Sequence, residues 1–527
     1  MDIGTISLVL LTGMLLLLAI GMPLGFASGF LAVIVMVMKF GPDLLFNNFG
    51  TGPLNLLGQR IYGIMTSYVL VSVPLFILMA NLLERSGIAR DMYDTLEAWM
   101  SRTRGGIAVV TALMAVVMAA MSGIIGGEVV LLGLIALPQM LRLGYDQNLA
   151  IGTICASGSL GTMIPPSIVL IFYGLITDTS IHALFQAAFV PGFILALGYI
   201  AYILIRTNLN PSLAPLPEPK ETDLTGRQKR TYGLALIAMI VGVAAALMVV
   251  RGLYLNAFDL IKSDTGGISG GFIIRAGTLA LACGAFLWFV SGKANAVAAW
   301  QNGKGMVSPL LVVFVVLGSI YGGITGITEA AGIGSFAVLV LIILRGEFSW
   351  KLLQEASMRT FKSTGTIMWV TIGATALAGA YTLAGGPTFV ANLIVGLDMP
   401  TLSVLLIMML VFLFMGAFMD WTGIVLLVMP VFLPIVLKLP WDELGITGGL
   451  DTQLAVQVWF GVLFCVNMQV SFLSPPFGGA AFYLKSVAPA HITLPQIFRS
   501  FLPFIAIQVT VLMLILLVPQ ITTLFLH

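Results

Sequence analysis

The chain has 527 residues, 59% of them hydrophobic and 9% charged, with a formal net charge of +2. A soluble domain carries about 25% charged residues, whereas apolar runs of about 20 residues, each able to cross a bilayer as a helix, recur here from end to end. This excludes a soluble globular fold and, with no basic patch, nucleic-acid binding; the fold class is an all-α polytopic membrane protein.

Spans are predicted near 5–22, 23–39, 61–82, 147–176, 186–205, 232–254, 275–292, 308–325, 327–344, 363–382, 456–487 and 500–522. Residues 1–20 lack a basic n-region and an A-x-A-type cleavage site, so they read as a retained helix. Gly21-Met22-Pro23 either separates two spans or kinks one. Two stretches, about 105–141 and 401–437, are too long for one crossing and carry small or polar residues at their middles. They read as re-entrant hairpins that enter and leave on the same side, giving twelve spans and two hairpins. The hydrophilic, Pro-rich stretch Arg206–Arg230 reads as a cytoplasmic linker.

Lys and Arg concentrate in cytoplasmic loops of membrane proteins. With residues 41–60 outside, only Lys39, Arg60, Arg251, Lys262, Arg275 and Lys438 of the 24 Lys and Arg lie outside. This asymmetry puts both termini on the periplasmic side. The three cysteines, Cys155, Cys283 and Cys465, sit apart in apolar segments and read as core-filling residues. His182, His491 and His527 have no partner at metal-ligand spacing, so no transition-metal site is expected.

The two halves resemble each other. Val129–Asp146 (VVLLGLIALPQMLRLGYD) aligns with Val425–Asp442 (VLLVMPVFLPIVLKLPWD) at one constant offset, pairing Pro138 with Pro434, Arg142 with Lys438, Tyr145 with Trp441 and Asp146 with Asp442. Pro165-Pro166 and Pro475-Pro476 follow, the longer second interval being explained by an insertion after Asp442. Each half reads as five spans plus a hairpin, and an odd span number inverts the second copy. The expected domains are 1–205 (first repeat), 206–231 (linker), 232–305 (an inserted pair of spans) and 306–527 (second repeat).

A Pro-Pro pair cannot continue a helix, and in lipid the freed carbonyls must line a cavity or meet other protein. Paired broken helices in two halves point to a transporter's binding site. Carbonyl ends and hydroxyls suit a hard cation such as Na⁺, while N–H ends attract an anion. The first break offers Gly158, Ser159, Gly161 and Thr162 before Pro165 and Pro166; the second offers Ser471 and Ser474 before Pro475 and Pro476. The hairpin middles add Ser122 and Gly123 in the first half and Asp420 in the second. A mid-membrane carboxylate costs roughly 3 kcal/mol and usually marks function. Glu128, Glu329 and Asp420 are the candidates, Glu329 being also a helix N-terminal residue that could simply cap. An anionic substrate would rest on helix N-termini, or on Arg142 or Lys438 if these reach inward.

Several stretches together resemble the large membrane subunit, DctM type, of tripartite ATP-independent periplasmic (TRAP) transporters. They are MSGIIGGEVVLLGLIALPQMLRLGYD, GSLGTMIPPSIVLIFYG, SIHALFQAAFVPG, GITEAAGIGSF, FMDWTGIVLLVMPVFLP and VNMQVSFLSPPFGGAAFYLKSVAP, in the family's order. The resemblance implies a bacterial inner-membrane permease for Na⁺-driven uptake of a small organic anion, a carboxylate. A periplasmic substrate-binding protein would deliver it, and a separate small four-helix subunit would brace the large one. It also implies an elevator mechanism with Na⁺ as coupling ion, no other cofactor and no enzymatic activity; no Walker signature is present. Carried over by position, Ser122, Gly123, Gly158 to Thr162, Ser167, Asp420, Asn467, Ser471 and Ser474 would bind Na⁺, with substrate between the tips. The chain departs from the family at Ile124 and Ile125, at Glu128 where Asp is usual, at Gln469 where Glu is common and at Ser474 where Thr is common. The alternatives are a single-chain Na⁺ or H⁺/carboxylate symporter of related fold and, in a different class, a channel.

Overall fold

The computed structural model describes residues 1–46, 52–123, 126–216, 224–257, 270–395, 399–446, 452–476 and 478–524. Among them there are helices and no strand. Among the described residues, eight helices are long and apolar enough to cross a membrane: Tyr68–Arg85, Ile181–Leu209, Gly226–Leu253, Lys293–Tyr321, Ile327–Leu344, Trp350–Ala384, Thr452–Leu473 and Leu494–Leu517. Shorter apolar helices include Ile3–Ala19, Leu24–Phe40, Gly106–Ser122, Ile168–Thr177, Thr401–Gly416 and Trp421–Val436.

The Gly21 joint separates two helices. Gly21 has φ +84°, a left-handed turn that suits glycine. The chain reverses there, so the Met1 ammonium reaches the Met38 carbonyl at 3.2 Å. The predicted span 61–82 is not one element. A helix Pro53–Met65 ends at Thr66, whose hydroxyl donates to the Tyr62 carbonyl at 2.7 Å. A new run then starts at Tyr68. The first helix exposes Asn55, Gln59 and Arg60 and buries Leu57, the pattern of a helix lying against the molecule rather than through a bilayer. A second lateral helix, Ile88–Met100, was absent from the predicted map; it buries Ile88, Ala89, Met92 and Tyr93 and exposes Arg90 and Asp94. The predicted 206–231 linker is shorter than expected: helix Ile181–Leu209 runs into it and Gly226 opens the next helix, while 217–223 lie outside the described residues.

The helix Trp350–Ala384 organises the fold. Its 35 residues span about 50 Å, more than the roughly 30 Å hydrocarbon core. It packs along Leu24–Phe40, Pro53–Met65, Tyr68–Arg85 and Trp421–Val436. Against Leu24–Phe40 the backbones nearly touch: a Cβ on Gly373 would stand 2.1 Å from the Gly25 carbonyl oxygen. Such small-residue contacts hold helices together where lipid removes the hydrophobic drive. Ion pairs knit one end: Arg85 with Glu355, Arg345 with Asp91 and with Glu347 (2.8 Å), and Arg359 with Glu84 (3.2 Å). The inserted helices Gly226–Ala257 and Gly270–Ala285 pack on each other, and the first also packs on Lys293–Tyr321.

Each predicted hairpin is a pair of short helices. The first is Gly106–Ser122 and Gly127–Arg142; the second is Thr401–Gly416 and Trp421–Val436. Arms of 16 or 17 residues reach only about 25 Å, short of a full crossing. Each hairpin is followed by a helix that breaks at its Pro-Pro pair. The first runs Gln147–Gly158, a tight turn Ser159–Thr162, then Ile168–Thr177; the second runs Thr452–Leu473, then Gly479–Lys485. Both Pro-Pro peptides are cis.

Candidate functional site

Each hairpin tip meets the break that follows it. At the first tip, Gly123 ends the arm with φ +60°, accepts the Ile168 N–H at 3.3 Å, and leaves no room for a side chain: a Cβ would stand 2.3 Å from the Pro166 carbonyl oxygen. The second arm begins with Gly126 at φ +103° and packs Val129 against Gly158, where a Cβ would meet Val129 Cγ2 at 2.6 Å. At the second tip, a Cβ on Gly416 would stand 2.4 Å from Ser471 Oγ. The breaks differ in exposure: Pro165 and Pro166 are buried, whereas Pro475 and Pro476 are exposed.

Ser122 donates to Glu128 Oε1, and the other Glu128 oxygen is buried with no partner. Both residues are only 3% exposed, so this carboxyl is an acceptor withheld from water. Ser159 and Thr162 turn their hydroxyls onto the Ala156 and Ser159 carbonyls, at 2.7 and 2.9 Å, and Gly161 is buried in the same turn. Ser167 donates to the Thr162 carbonyl and caps the next helix through Leu170 N–H at 3.4 Å. These hydroxyls brace the first break; Ser159 also accepts from Gln508 Nε2 at 3.3 Å, so Ser159 and Ser167 each keep one lone pair as an acceptor. Ser157 and Thr153, unremarked in the sequence, are buried hydroxyls without partners on the same helix.

Asp420 is the N-cap of Trp421–Val436. Its Oδ1 accepts the Thr422 N–H at 2.7 Å, and the Thr422 hydroxyl donates to both carboxylate oxygens at 3.0 and 3.1 Å. The carboxylate lines a cavity of about 250 Å³ together with Gly416, Trp421, Ser471, Phe472 and Tyr483. Ser471 Oγ and both amide atoms of Gln469 are buried and unpaired. Asn467 donates to the Met409 carbonyl at 3.0 Å, tying the second broken helix to the first arm of the second hairpin, and its Oδ1 is unpaired. Ser474 bonds within its own turn, to Val470 O at 2.7 Å.

Tyr483 joins the two tips. It lines the Asp420 cavity and also a second cavity of about 420 Å³ beside Ser122, Gly126, Gly127 and Glu128. A Cβ on Gly126 would stand 2.7 Å from the Tyr483 ring. Its place could be read only from the fold, because residues 126 and 483 are brought together by tertiary packing. A third cavity, about 580 Å³, lies further along Trp350–Ala384 and is lined by Arg60, Asp178 and Thr375.

Glu329 stands apart from both tips. It is exposed in the first turn of Ile327–Leu344, where a carboxylate complements the helix dipole, and accepts from the Tyr68 hydroxyl at 3.0 Å; the start of that helix has no side-chain cap hydrogen bond. Arg142 and Lys438 do not reach inward: both are exposed at or just past the C-terminal ends of hairpin arms, where a cation complements the helix dipole. The basic residues that do line a tip cavity are Arg359 and Lys362, on the long helix.

The sequence pattern of the family described as "Tripartite ATP-independent periplasmic transporter, DctM component" matches residues 11–521. The chain is 24% identical over 489 residues, 92% of its length and 90% of the relative's, to the C4-dicarboxylate TRAP transporter large permease protein DctM of Pseudomonas aeruginosa. It is 23% identical to the sialic acid TRAP transporter large permease protein SiaM of Vibrio cholerae, covering 97% and 96% of the two chains. It is 24% identical to the isethionate TRAP transporter permease protein DctMQ of Oleidesulfovibrio alaskensis, where 97% of this chain spans 65% of the relative. Among solved structures, the YdaH transporter of Alcanivorax borkumensis shares the fold, with a TM-score of 0.51 at 14% identity over 94% of this chain and 96% of that one.

Proposed function

Because the chain belongs to the DctM-component family of tripartite ATP-independent periplasmic transporters, we propose how its two hairpin tips do the work of this large permease subunit, a multi-pass inner-membrane protein. The observation that carries the reading is that each hairpin tip packs on the broken helix that follows it, the first on Pro166 and the second on Ser471 ahead of Pro475, and leaves buried oxygen atoms unpaired beside it. Unwound carbonyls, hydroxyls and a carboxylate make a ligand set for a hard cation. Na⁺ is bound at these tips, with Asp420 and the Ser471 hydroxyl at the second and Ser122 and Glu128 at the first. A small organic anion is held between them, near Tyr483. The substrates named for the relatives, dicarboxylate, sialic acid and isethionate, share an anionic group on a small polar body. A periplasmic binding protein delivers the anion and a small membrane subunit braces the long helix side. The hairpins and broken helices move as a body against Trp350–Ala384 and its neighbours. The cavities at different heights along that helix are consistent with access from alternate sides.

Uptake into proteoliposomes containing this chain, its small subunit and its binding protein should require a Na⁺ gradient. Equal uptake with Na⁺ replaced by choline sinks the Na⁺ coupling, and full uptake without the binding protein favours the single-chain symporter. The charge asymmetry supports a topology with both termini in the periplasm and the 206–230 loop in the cytoplasm. A reporter fused there should be active only as a cytoplasmic reporter; periplasmic activity would reverse the orientation.

A further inference from the structure

We propose that Lys362 and Arg359 form a binding site for the carboxylate or sulfonate group of a small organic anion at the first hairpin tip, a site edged in this structure by the carboxylate of Glu84. It rests on the reading of the chain as an anion permease and assigns a counter-charge that the hairpins and breaks do not themselves provide.

The site is the cavity of about 420 Å³ beside the first tip, within the usual range of small-ligand pockets. One wall is formed by Asn81 and Glu84 on Tyr68–Arg85, and by Arg359, Lys362 and Ser363 on Trp350–Ala384. The facing wall is the hairpin, with Ser122, Gly126, Gly127 and Glu128, and Tyr483 also lines the space. The charged groups facing it are therefore Glu84, Arg359, Lys362 and Glu128.

Their pairing is unequal. Arg359 Nη1 holds Glu84 Oε1 at 3.2 Å. The other Glu84 oxygen stands 3.6 Å from where a Cβ on Gly127 would be, beside the first turn of the second hairpin arm. A carboxylate thus already sits between a guanidinium and a helix start, two groups that each favour an anion. Lys362 lies three residues on, hence on the same helix face as Arg359. It makes no ion pair or side-chain hydrogen bond among the described residues. Long basic side chains near a helix end commonly reach for lipid headgroups, but these two, although exposed, line a half-open cavity together with the tip of a hairpin. An incoming carboxylate or sulfonate would take Lys362 and compete with Glu84 for the fork of Arg359.

The test is substrate-independent chemistry on the full chain in detergent. Ser363 lines the cavity and is exposed, and Cys155 and Cys465 are buried, so Ser363→Cys in a Cys283→Ser background leaves one reactive thiol. With each rate divided by that reagent's rate on a free thiol such as 2-mercaptoethanol, the anionic sulfonatoethyl methanethiosulfonate should label it at least about fivefold faster than the cationic trimethylammonium reagent, as focused fields in clefts raise local counter-ion levels. The ratio should fall toward one in Lys362→Gln and Arg359→Gln, and rise in Glu84→Gln. Succinate or isethionate should slow labelling relative to chloride at matched ionic strength, and should not do so in Lys362→Gln. Equal normalised rates for the two reagents, absence of labelling, or absence of protection would overturn the site. Lys362→Gln removes no ion pair or side-chain hydrogen bond among the described residues, so it keeps the test open if Arg359→Gln fails to fold. The assay uses no gradient and no binding protein; if it fails while Na⁺-dependent uptake holds, only this inference falls.

Discussion

Replacing Asp420 with asparagine is expected to cut initial uptake at least about tenfold, or 1.4 kcal/mol, as severely as replacing it with alanine. The two substitutions separate two roles that the geometry superimposes. Asp420 caps Trp421–Val436 through Thr422 N–H at 2.7 Å, and it also presents a carboxylate to the cavity beside Ser471 and Tyr483. Asparagine is as good an N-cap as aspartate, whereas alanine loses about 1 kcal/mol of capping. If the residue only caps, Asp420→Asn should transport like the parent chain and Asp420→Ala should lose stability first. If the negative charge balances a bound cation, both should lose transport and Asp420→Asn should keep its thermal stability in detergent. The measurement is initial uptake in proteoliposomes at equal reconstituted protein, beside a melting curve for each variant. Uptake by Asp420→Asn within twofold of the parent would remove the carboxylate from the ion site.

The helix breaks were legible because lipid punishes their signals. Proline pairs and small residues in the middle of apolar runs have few tolerated explanations, so the predicted hairpins at 105–141 and 401–437 fall within a residue of the helices Gly106–Arg142 and Thr401–Val436. Charge read as topology was less faithful locally. Arg359 and Lys362 were counted as loop residues, because the predicted span began at 363; the helix begins at Trp350 and carries them on its wall. The lateral helices Pro53–Met65 and Ile88–Met100 escaped a search for continuous hydrophobicity, although Ile88, Met92 and Tyr93 against Arg90 and Asp94 is an amphipathic pattern. Tyr483 was not legible in principle. Its significance lies in touching Gly126 and sharing a cavity with Asp420, and no local pattern records either. Likewise Asn467 and Ser474 matched the family's site by position, yet one is half spent on the Met409 carbonyl and the other bonds to Val470. Ser471 and Gln469 keep their buried polar atoms free.

Replacing Gly123 with alanine should also lower uptake at least about tenfold, through backbone geometry rather than lost chemistry. At φ +60° an L-residue costs about 1–2 kcal/mol, and that alone would leave most of the protein folded. The larger effect is positional. The Gly123 carbonyl accepts from Ile168 N–H at 3.3 Å, and a Cβ would stand 2.3 Å from the Pro166 carbonyl oxygen. The obstacle is backbone on both sides, so no rotamer relieves it, and the tip must retreat from the break. Ser122 and Glu128 flank this tip and would retreat with it, away from Ser167 and the first break. Gly29→Ala is the control: it sits inside Leu24–Phe40 with an ordinary φ and open space around its Cβ position, where alanine favours a helix. Gly29→Ala should insert and transport like the parent chain. Gly123→Ala should insert equally well, transport poorly and melt a few degrees lower in detergent. Near-parental transport by Gly123→Ala would mean that the tip is free to leave the break without consequence, and that close seating of the two is not what assembles the first-half site.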